Sequence, residues 1–289
     1  MDINSIKFEI DNIKQNKKGD ASAPHKPLLL LSILSKIYNN TKIENAFYFE
    51  KIKEELTFLL KNFGWSYGVQ KPEYPFIFLG SSPTLWVTSI KKEELENRDN
   101  PKLRELLNQY GKLPDELFAY VVKEKNVLKE IIEYILLKNW PEDIHNDILA
   151  ALSLNLDIKY EVKRNSKFVR DVIDAYMSKC AICGQSIRIS DVLVGIDACH
   201  LKALQYGGND AISNGIALCK FHHWTLDRGA IGINSNLLLE VSDSINGDKV
   251  EEHLIRYENQ QIFIPRKEIN HLDNNNTKWH YDHIFNKRK

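Results

Sequence analysis

Apolar residues recur at helical spacing through most of the first half of the chain. Ile3, Ile6, Ile10 and Ile13 fall on one face of a predicted helix over 3–16. The same spacing predicts the other helices of this half, which lie at about 27–38, at 47–62 and within 101–151. The N-terminal half is therefore predicted to be mainly helical.

Two short apolar runs interrupt the helical pattern and predict a small β element. They lie at 75–79 and 85–90, and the Gly-Ser-Ser-Pro-Thr sequence between them has the composition of a turn. We therefore expect two strands in this region, joined by residues 80–84.

A polar, irregular stretch at 152–166 separates the two halves and predicts a linker. The length of 289 residues also favours two domains of modest size over a single one. We expect an N-terminal domain over 1–152 and a C-terminal domain over 166–289.

The second half has a more mixed pattern, which predicts both helices and strands. Helices are predicted at 167–177 and 215–227, and strands at 192–199, 237–241 and 261–264. Asn214 occupies the position of a helix cap, and the run Asn274-Asn275-Asn276 predicts the end of regular structure. The chain as a whole is expected to be an α+β protein, with a mainly helical N-terminal domain that contains a small β element.

Charge and hydrophobicity argue against two broad classes of protein. With 39 basic and 39 acidic residues the formal net charge is zero, which argues against tight, non-specific binding to nucleic acid over the whole surface. No apolar run approaches the roughly 20 residues of a membrane span, and the charged N-terminus has no signal-peptide core. We expect a cytoplasmic protein with no membrane partner.

All four cysteines lie between positions 180 and 219, which is typical of a metal site and not of a disulfide scaffold. Cys180 and Cys183 form one pair with two intervening residues, and Cys219 and His222 form a second. Two such pairs can complete a tetrahedral, structural zinc site. Cys199 is the rival to His222 as fourth ligand, and burial of the cysteines as small apolar residues is the simplest alternative.

His223 follows His222 directly and is expected to serve a second site. Neighbouring side chains on a helix diverge by about 100°, so two adjacent histidines do not easily reach the same centre. Fourteen positions separate His200 from Asn214, and nine separate Asn214 from His223. The distances alone are a weak indication, and these three residues become candidates for a reaction centre through the resemblance of the surrounding sequence to a known family.

The sequence around these residues resembles that of the HNH nucleases. The matching strings are Asp197-Ala-Cys-His200, Gly207-Gly208-Asn-Asp210, Asn214-Gly-Ile-Ala-Leu-Cys219, His222-His223 and Asp227-Arg-Gly229. The resemblance implies a β-hairpin packed on a helix around one metal ion. Residues 166–289 are therefore expected to form a ββα-metal nuclease domain that also contains the structural zinc.

The same resemblance implies a role for each residue of the reaction centre. His200 would be the general base that activates water, and Asn214 would orient it through hydrogen bonds. His223 and Asp227, one helical turn apart, would bind Mg²⁺, Mn²⁺ or a similar ion. Many relatives have an acidic residue or histidine directly before the base as a further ligand. That residue is a cysteine here, which leaves Asp197 or water for the place.

Several strings outside the nuclease motif resemble the restriction endonucleases that bind phosphorothioated DNA. They are Ala23-Pro-His-Lys-Pro-Leu-Leu-Leu-Leu31, Glu73-Tyr-Pro-Phe76, Leu85-Trp86, Asn259-Gln-Gln-Ile-Phe-Ile-Pro265 and Trp279-His280. In that family a sulfur-binding domain precedes an HNH domain. The resemblance implies that residues 1–152 recognise DNA.

A pocket for sulfur is expected from two of these strings. Sulfur in a phosphorothioate is larger and less tightly hydrated than oxygen, so a shallow apolar cavity accepts it. A phosphate oxygen placed there would lose about 1–3 kcal/mol of hydrogen bonding. Tyr74, Pro75 and Phe76 are the candidates for the cavity, and His25 and Lys26, at a helix start, for the remaining negative charge. The alternative is a purely structural role for both strings.

We therefore expect a modification-dependent restriction endonuclease that recognises phosphorothioated double-stranded DNA and hydrolyses a phosphodiester bond nearby with one metal ion. Two rivals stay open: an HNH endonuclease acting on methylated or unmodified DNA, and a non-cleaving, zinc-stabilised DNA-binding protein. The cysteine at position 199 favours the second rival. Because one nuclease centre cuts one strand at a time, a double-strand break requires a homodimer or two successive cuts.

Overall fold

The computed structural model of the chain describes residues 2–18, 21–40, 42–64, 70–95, 97, 101–156 and 166–287. The chain forms two compact units, Met1–Ile158 and Lys159–Lys289, each with a buried core. Residues 157–165 of the predicted linker lie outside the described part of the chain. No described helix has the length and apolar character that would let it cross a membrane.

The N-terminal unit is mainly helical, as the apolar spacing predicts. Its helices are α1 (Ile3–Asp11), α2 (His25–Asn39), α3 (Phe49–Phe63), α4 (Glu73–Phe78), α5 (Asp115–Lys123), α6 (Lys125–Asn139) and α7 (Glu142–Ala151). Its strands are β1 (Lys17–Lys18), β2 (Ala21–Ser22), β3 (Phe47–Tyr48), β4 (Val87–Thr88) and β5 (Tyr110–Lys112). β1 and β2 pair as a hairpin, and β5 lies between β3 and β4 in a small antiparallel sheet.

Helix α2 is the centre of the N-terminal core. Its leucine run at 28–31 is between 0 and 2% exposed, and the helix packs against α3, α4 and α6. A helix that is apolar on nearly all sides is stable only where other elements cover it. The leucine-rich string therefore folds as the buried axis of this unit, with His25 and Lys26 in its first turn.

The predicted strand at 75–79 is wrong, because most of this run forms helix α4. One proline precedes the helix and a second lies in its first turn, where a missing N–H costs no hydrogen bond. Phe76 is fully buried against Phe49 and Trp86. A short apolar run does not by itself distinguish a strand from a buried helix. Of the second predicted strand, only Val87–Thr88 forms one.

The C-terminal unit contains a β-hairpin that is followed directly by a helix. Its helices are α8 (Ser166–Ala175), α9 (Lys220–Asp227), α10 (Val250–His253) and α11 (Asn274–His283). Its strands are β6 (Ile187–Ile189), β7 (Val192–Val194), β8 (Ile196–His200), β9 (Gly215–Cys219), β10 (Ile231–Ile233) and β11 (Leu239–Val241). They pair as antiparallel hairpins, β6 with β7, β8 with β9 and β10 with β11. β8, β9 and α9 form the expected ββα arrangement.

The β8–β9 hairpin positions the candidate site residues, and its register pairs His200 with Gly215. A β-carbon on Gly215 would lie 2.4 Å from Cγ2 of Val172, so glycine is what lets α8 pack this closely on the hairpin. Side chains alternate in direction along a strand. His200 accordingly contacts α8, whereas Asp197 and Cys199 point to the other side and contact α9.

The predicted helix at 215–227 is right only in its second half. Residues 215–219 form the buried strand β9, and helix α9 begins at Lys220. Asn214 therefore precedes a strand and caps no helix. A continuous apolar run has the same pattern in a buried strand and in a buried helix, which is why the periodicity does not separate them.

The end of the chain is more regular than its composition indicates. The asparagine run at 274–276 begins helix α11, because the Asp273 carboxylate accepts hydrogen bonds from the first backbone N–H groups of the helix. The predicted strand at 237–241 is present as β11. The one at 261–264 is reduced to a bridge between Leu238 and Gln261.

Candidate active site and metal cluster

Cys180, Cys183, Cys219 and His222 converge in the C-terminal unit. The first two cysteines lie in the turn after α8, Cys219 ends β9, and His222 lies in the first turn of α9. Their ligand atoms are all within 4.8 Å of one another. Cys199, the rival fourth ligand, is outside this group and lies on β8. The four residues form a cluster that could hold a metal.

The side chains of this cluster shift one another's pKa. Hydrogen bonds with Cys183 and Cys219 lower the pKa of Cys180, and hydrogen bonds with Cys180 and Cys183 raise the pKa of Cys219. Burial by itself would lower the pKa of His222, but hydrogen bonds to Cys180 and Cys183 raise it to about 9. Thiolate and imidazole are the ligands that zinc takes in structural sites, so the chemistry of this set fits Zn²⁺.

The His222 ring is oriented through its second nitrogen. Its Nδ1 lies 3.1 Å from Cys219 Sγ and 3.5 Å from Cys180 Sγ, whereas its Nε2 lies 3.1 Å from the carbonyl oxygen of His253. A proton on Nε2, donated to that carbonyl, leaves the Nδ1 lone pair directed at the thiols. A second hydrogen bond that fixes the tautomer is typical of a histidine that binds a metal.

His200 ends strand β8 and is held by two neighbours from other elements. Its ring stacks on Phe168 of α8, with 4.1 Å between the ring centroids and 4° between the planes. Its Nε2 lies 2.9 Å from Oδ1 of Asp210, in the loop between β8 and β9. The ring is fixed in position while the side chain stays 22% exposed. This combination suits a group that exchanges a proton with water.

The hydrogen bonds of Asn214 differ from those that the resemblance implies, because they go to the backbone and not to His200. Its Oδ1 accepts from the Lys202 N–H at 2.9 Å, and its Nδ2 donates to the carbonyl oxygens of Lys202 and Asn209 at 2.9 and 2.8 Å. These bonds use both hydrogens of its amide. The fully buried Asn214 side chain thus ties together the two ends of the loop that follows His200.

His223 and Asp227 lie one helical turn apart on α9. His223 Nε2 is 3.2 Å from Asp227 Oδ2, and the two side chains are 9% and 12% exposed. On the other side of the ring, Nδ1 lies 3.0 Å from Asp197 Oδ2. Burial raises the pKa of Asp197, but hydrogen bonds from His223 and Lys220 outweigh it, so the pKa falls. Asp197 therefore stays ionised and orients the His223 ring.

Cys199 contacts the same histidine, but as a neutral thiol. Burial raises its pKa to about 12, and this outweighs the influence of His223. Hard cations such as Mg²⁺ prefer oxygen ligands, and the oxygens near His223 belong to Asp197 and Asp227. The residue directly before the candidate base therefore differs in chemistry from the acidic residue or histidine of the HNH pattern.

His25 and Lys26 of the N-terminal unit lie in the first turn of α2. His25 Nε2 is buried and has no hydrogen-bond partner among the described residues, and burial lowers the pKa of the ring. Lys26 Nζ donates to the Lys14 carbonyl at 2.6 Å and to Ser81 Oγ at 3.3 Å, and burial lowers its pKa as well. The two residues lie at the N-terminus of α2, and the N-terminus of a helix favours the binding of anions.

Tyr74, Pro75 and Phe76 lie in α4 and differ in exposure. Phe76 and Pro75 are buried, whereas Tyr74 is half-buried. The Tyr74 ring packs edge-on against Phe78, and Lys71 Nζ lies 5.0 Å from its centroid. Phe76 belongs to the aromatic core, so Tyr74 is the member of this trio with surface available to a ligand.

Comparisons with known families assign both units. Residues 3–157 match the model of the ScoMcrA-like family with a DNA sulfur-binding domain. The chain belongs to this family. Residues 180–234 match the model of the HNH endonucleases. The sulfur-binding domain is thus followed by an HNH domain, and the protein is a DNA nuclease.

Three solved structures resemble parts of the chain. The sulfur-binding domain of SprMcrA complexed with phosphorothioated DNA is 16% identical, has a TM-score of 0.45, and covers 53% of this chain and 95% of that one. The sulfur-binding domain of ScoMcrA, also complexed with phosphorothioated DNA, is 17% identical and has a TM-score of 0.42; the match covers 50% of this chain and 96% of that one. The modification-dependent TagI restriction endonuclease is 21% identical and has a TM-score of 0.31; the match covers 45% of this chain and 41% of that one. None of the curated proteins compared matches the chain significantly.

Two neighbours of His200 in the HNH domain are not evident from the sequence motifs. Asp210 belongs to the Gly-Gly-Asn-Asp string of the HNH resemblance, but its pairing with His200 depends on how the loop folds. Phe168 lies on α8, outside the matched region at 180–234. The amphipathic pattern at 167–177 predicts that helix but not the residue that its Phe168 contacts.

Proposed function

We propose that this chain is a modification-dependent restriction endonuclease that recognises phosphorothioated DNA and hydrolyses phosphodiester bonds near the modification. The observation that carries the proposal is the presence, in one chain, of a sulfur-binding domain and an HNH domain. A DNA backbone contains sulfur when sulfur replaces a non-bridging phosphate oxygen. We assign recognition to residues 1–152 and cleavage to residues 166–289.

Recognition would depend on the start of α2 and on α4. Sulfur holds water less tightly than oxygen, so an apolar surface accepts it, whereas a phosphate oxygen there would lose about 1–3 kcal/mol of hydrogen bonding. Tyr74 would form the apolar wall, and the buried Pro75 and Phe76 would support it from the core. The buried, unpartnered His25 Nε2 and the Lys26 ammonium would bind the remaining negative charge.

Cleavage would begin when His200 takes a proton from water, whose oxygen attacks the phosphorus. The bond from phosphorus to the 3′ oxygen then breaks, and the leaving oxygen takes up a proton from a solvent water. A neutral imidazole is suited to the first step near neutral pH. The stack on Phe168 and the loop bonds of Asn214 would hold His200 where this transfer occurs.

His223 Nε2 and the Asp227 carboxylate would hold the catalytic cation, Mg²⁺ or Mn²⁺. Such an ion stabilises the negative charge that develops on the phosphate and on the leaving oxygen. Asp197 accepts from the Nδ1–H of His223, which leaves the lone pair on Nε2, the nitrogen closest to Asp227. The imidazole and the carboxylate are donors that suit this ion.

The cysteine cluster would hold Zn²⁺ in a closed, structural site, since four protein ligands leave no open position. The ion would tie the turn after α8 to the beginning of α9. Because α9 also carries His223 and Asp227, the zinc would keep the catalytic ligands in place. We expect the enzyme to act in the cytoplasm, because clustered cysteines that bind a metal are typical of intracellular proteins.

A comparison of matched plasmids tests the proposal. The same plasmid, with and without phosphorothioates, is incubated with the protein and Mn²⁺ or Mg²⁺, and the nicked and linear forms are measured. Cleavage confined to the modified plasmid supports the proposal. Cleavage of both plasmids, or of methylated DNA only, would identify an HNH endonuclease of another specificity. Binding without cleavage under either metal would identify a non-cleaving DNA-binding protein.

His200→Ala is the control variant for the chemistry. We expect cleavage to slow by about 10²–10⁴-fold, because the variant lacks the base. Its affinity for modified DNA should stay unchanged, since the sulfur-binding domain is intact. Full activity of this variant would refute the assignment of His200. The ratio of nicked to linear plasmid in the wild type shows whether two strands are cut together, as a homodimer would do.

A further inference from the structure

The loop that joins β8 to β9 brings a carboxylate to the ring of His200. Asp210 Oδ1 lies 2.9 Å from His200 Nε2, and the two side chains are 32% and 22% exposed. The face of the ring stacks on Phe168, 4.1 Å away and nearly parallel. The stacking contact fixes the plane of the ring, and the hydrogen bond fixes which edge of the ring points into the loop.

Hydrogen bonds within the same loop fix the position of Asp210. Asn214, which is fully buried, binds the backbone of Lys202 at the start of the loop and the carbonyl of Asn209 directly before Asp210. Gly208 permits the close return of the chain, since a β-carbon there would lie 1.7 Å from the Lys202 carbonyl oxygen. The buried amide thus holds the carboxylate in place beside the histidine.

The carboxylate decides where the imidazole carries its proton. An ionised carboxylate accepts hydrogen bonds and cannot donate them. The bond to Asp210 therefore requires a proton on His200 Nε2, and it leaves the lone pair of the neutral ring on Nδ1. Since a histidine acts as a base only through its unprotonated nitrogen, the tautomer determines which edge of the ring accepts a proton from water.

We propose that Asp210 is a positioning residue for hydrolysis, which holds the His200 proton on Nε2 so that Nδ1 is the base. This inference rests on the proposed function, because it takes His200 as the group that activates water. In the step, the water oxygen forms its bond to phosphorus, the bond to the 3′ oxygen breaks, and one water proton moves to Nδ1. Asp210 then stabilises the imidazolium through the same hydrogen bond.

Asp210→Asn tests the inference because it removes the charge at almost unchanged size. On phosphorothioated plasmid with Mn²⁺, we expect kcat to fall by about 10²–10⁴-fold while KM stays unchanged. Asp210→Glu keeps the carboxylate and is expected to retain more activity than Asp210→Asn. Asp191→Asn makes the same chemical change in the exposed β6–β7 turn and is expected to leave kcat unchanged.

The tautomer is measured directly by nitrogen-15 NMR of the histidine rings, with His200→Ala to assign the signal. In the wild type at neutral pH we expect the His200 proton on Nε2, and in Asp210→Asn we expect this preference to weaken. A proton on Nδ1 in the wild type, or a wild-type kcat in Asp210→Asn, would overturn the inference. So would a raised KM with unchanged kcat, which would make Asp210 a DNA-binding residue.

The two measurements keep this inference separate from the proposed function. If the wild type cut no DNA, the proposed function would fail, while the NMR measurement would still decide where His200 carries its proton. Melting temperature and zinc content show whether each variant is folded. If Asp210→Asn did not fold, the wild-type tautomer and the kcat of Asp210→Glu would decide, because both come from proteins that retain the carboxylate.

Discussion

The cysteine cluster and the proposed nuclease centre, formed by His200, His223 and Asp227, both use residues of the short helix α9 but differ in how their side chains are arranged. His222 and His223 are adjacent on α9, yet His222 turns toward thiols whereas His223 lies between two carboxylates. In the cluster, four ligand atoms converge within 4.8 Å. In the proposed nuclease centre, His200 pairs with Asp210, whereas His223 pairs with Asp197 and Asp227.

The difference between these regions follows from what each has to do. A structural ion needs all four positions filled by the protein, so its ligands converge. A catalytic ion needs room for water and substrate, so the protein supplies only part of its shell and orients those ligands from outside. Under the proposed function, the cluster would fix α9, and α9 would supply the ligands His223 and Asp227 of the nuclease centre. Damage to the cluster should therefore disable the nuclease centre, whereas the reverse should not hold.

His222→Ala and His223→Ala test this asymmetry and have the largest expected effects. His222→Ala should lose zinc, lower the melting temperature and abolish cleavage, because a structural ligand is gone. His223→Ala should keep zinc and melting temperature while cleavage falls by more than about 100-fold, since even an outer partner of a ligand contributes that much. Metal analysis and plasmid cleavage are the measurements. If His223→Ala lost zinc and His222→Ala kept it, His223 would be the zinc ligand and His222 the ligand of the catalytic ion.

Cys183→Ser and Cys199→Ser test the membership of the cluster. Cys183→Ser should remove the zinc and lower the melting temperature by about 10 °C or more, because binding of a structural ion contributes directly to folding. Cys199→Ser should keep its zinc, since Cys199 lies on β8 outside the cluster. Zinc retained in Cys183→Ser but lost in Cys199→Ser would restore Cys199 as the fourth ligand.

Sequence spacing predicts which side chains lie close together where the contacts are local. Two residues between Cys180 and Cys183 bring their thiols together within one turn of chain, and the four-residue step from His223 to Asp227 places both on one helix face. The contacts of His200 are not local in this way. Its neighbour Phe168 comes from a helix that precedes the hairpin, so spacing within the motif gives no indication of it.

Prediction of the fold from the sequence fails where the same pattern of apolar residues is compatible with both a helix and a strand. The runs at 75–79 and 215–219 are both short, apolar and buried, yet the first is mostly helix and the second is a strand. Tertiary packing decides between them: α4 packs on the buried helix α2, whereas β9 pairs with β8. The helix at 274–283 is missed for another reason, because a single capping carboxylate outweighs the weak helix propensity of asparagine.

Asp197→Asn has a smaller expected effect and tests how the nuclease centre is oriented. We expect the Mn²⁺ concentration needed for half-maximal cleavage to rise by about 10–100-fold, because Asp197 orients His223 without binding the ion itself. Lys220→Ala removes the other partner of Asp197 and serves as the control, with a smaller shift. Zinc content should not change in either variant. An unchanged Mn²⁺ requirement in Asp197→Asn would contradict this role.

Tyr74→Ala tests the sulfur-binding domain and has the smallest expected effect of the variants, a change in DNA preference. We expect the preference for phosphorothioated over plain DNA to fall about tenfold, because the variant loses an apolar wall but no charge. Fluorescence anisotropy with matched duplexes measures both affinities. Phe58→Ala removes an exposed aromatic side chain of α3, 52% exposed, and should leave the preference unchanged. If the preference survived in Tyr74→Ala and fell in His25→Ala, recognition would depend on polar contacts to the phosphorothioate and not on the apolar wall.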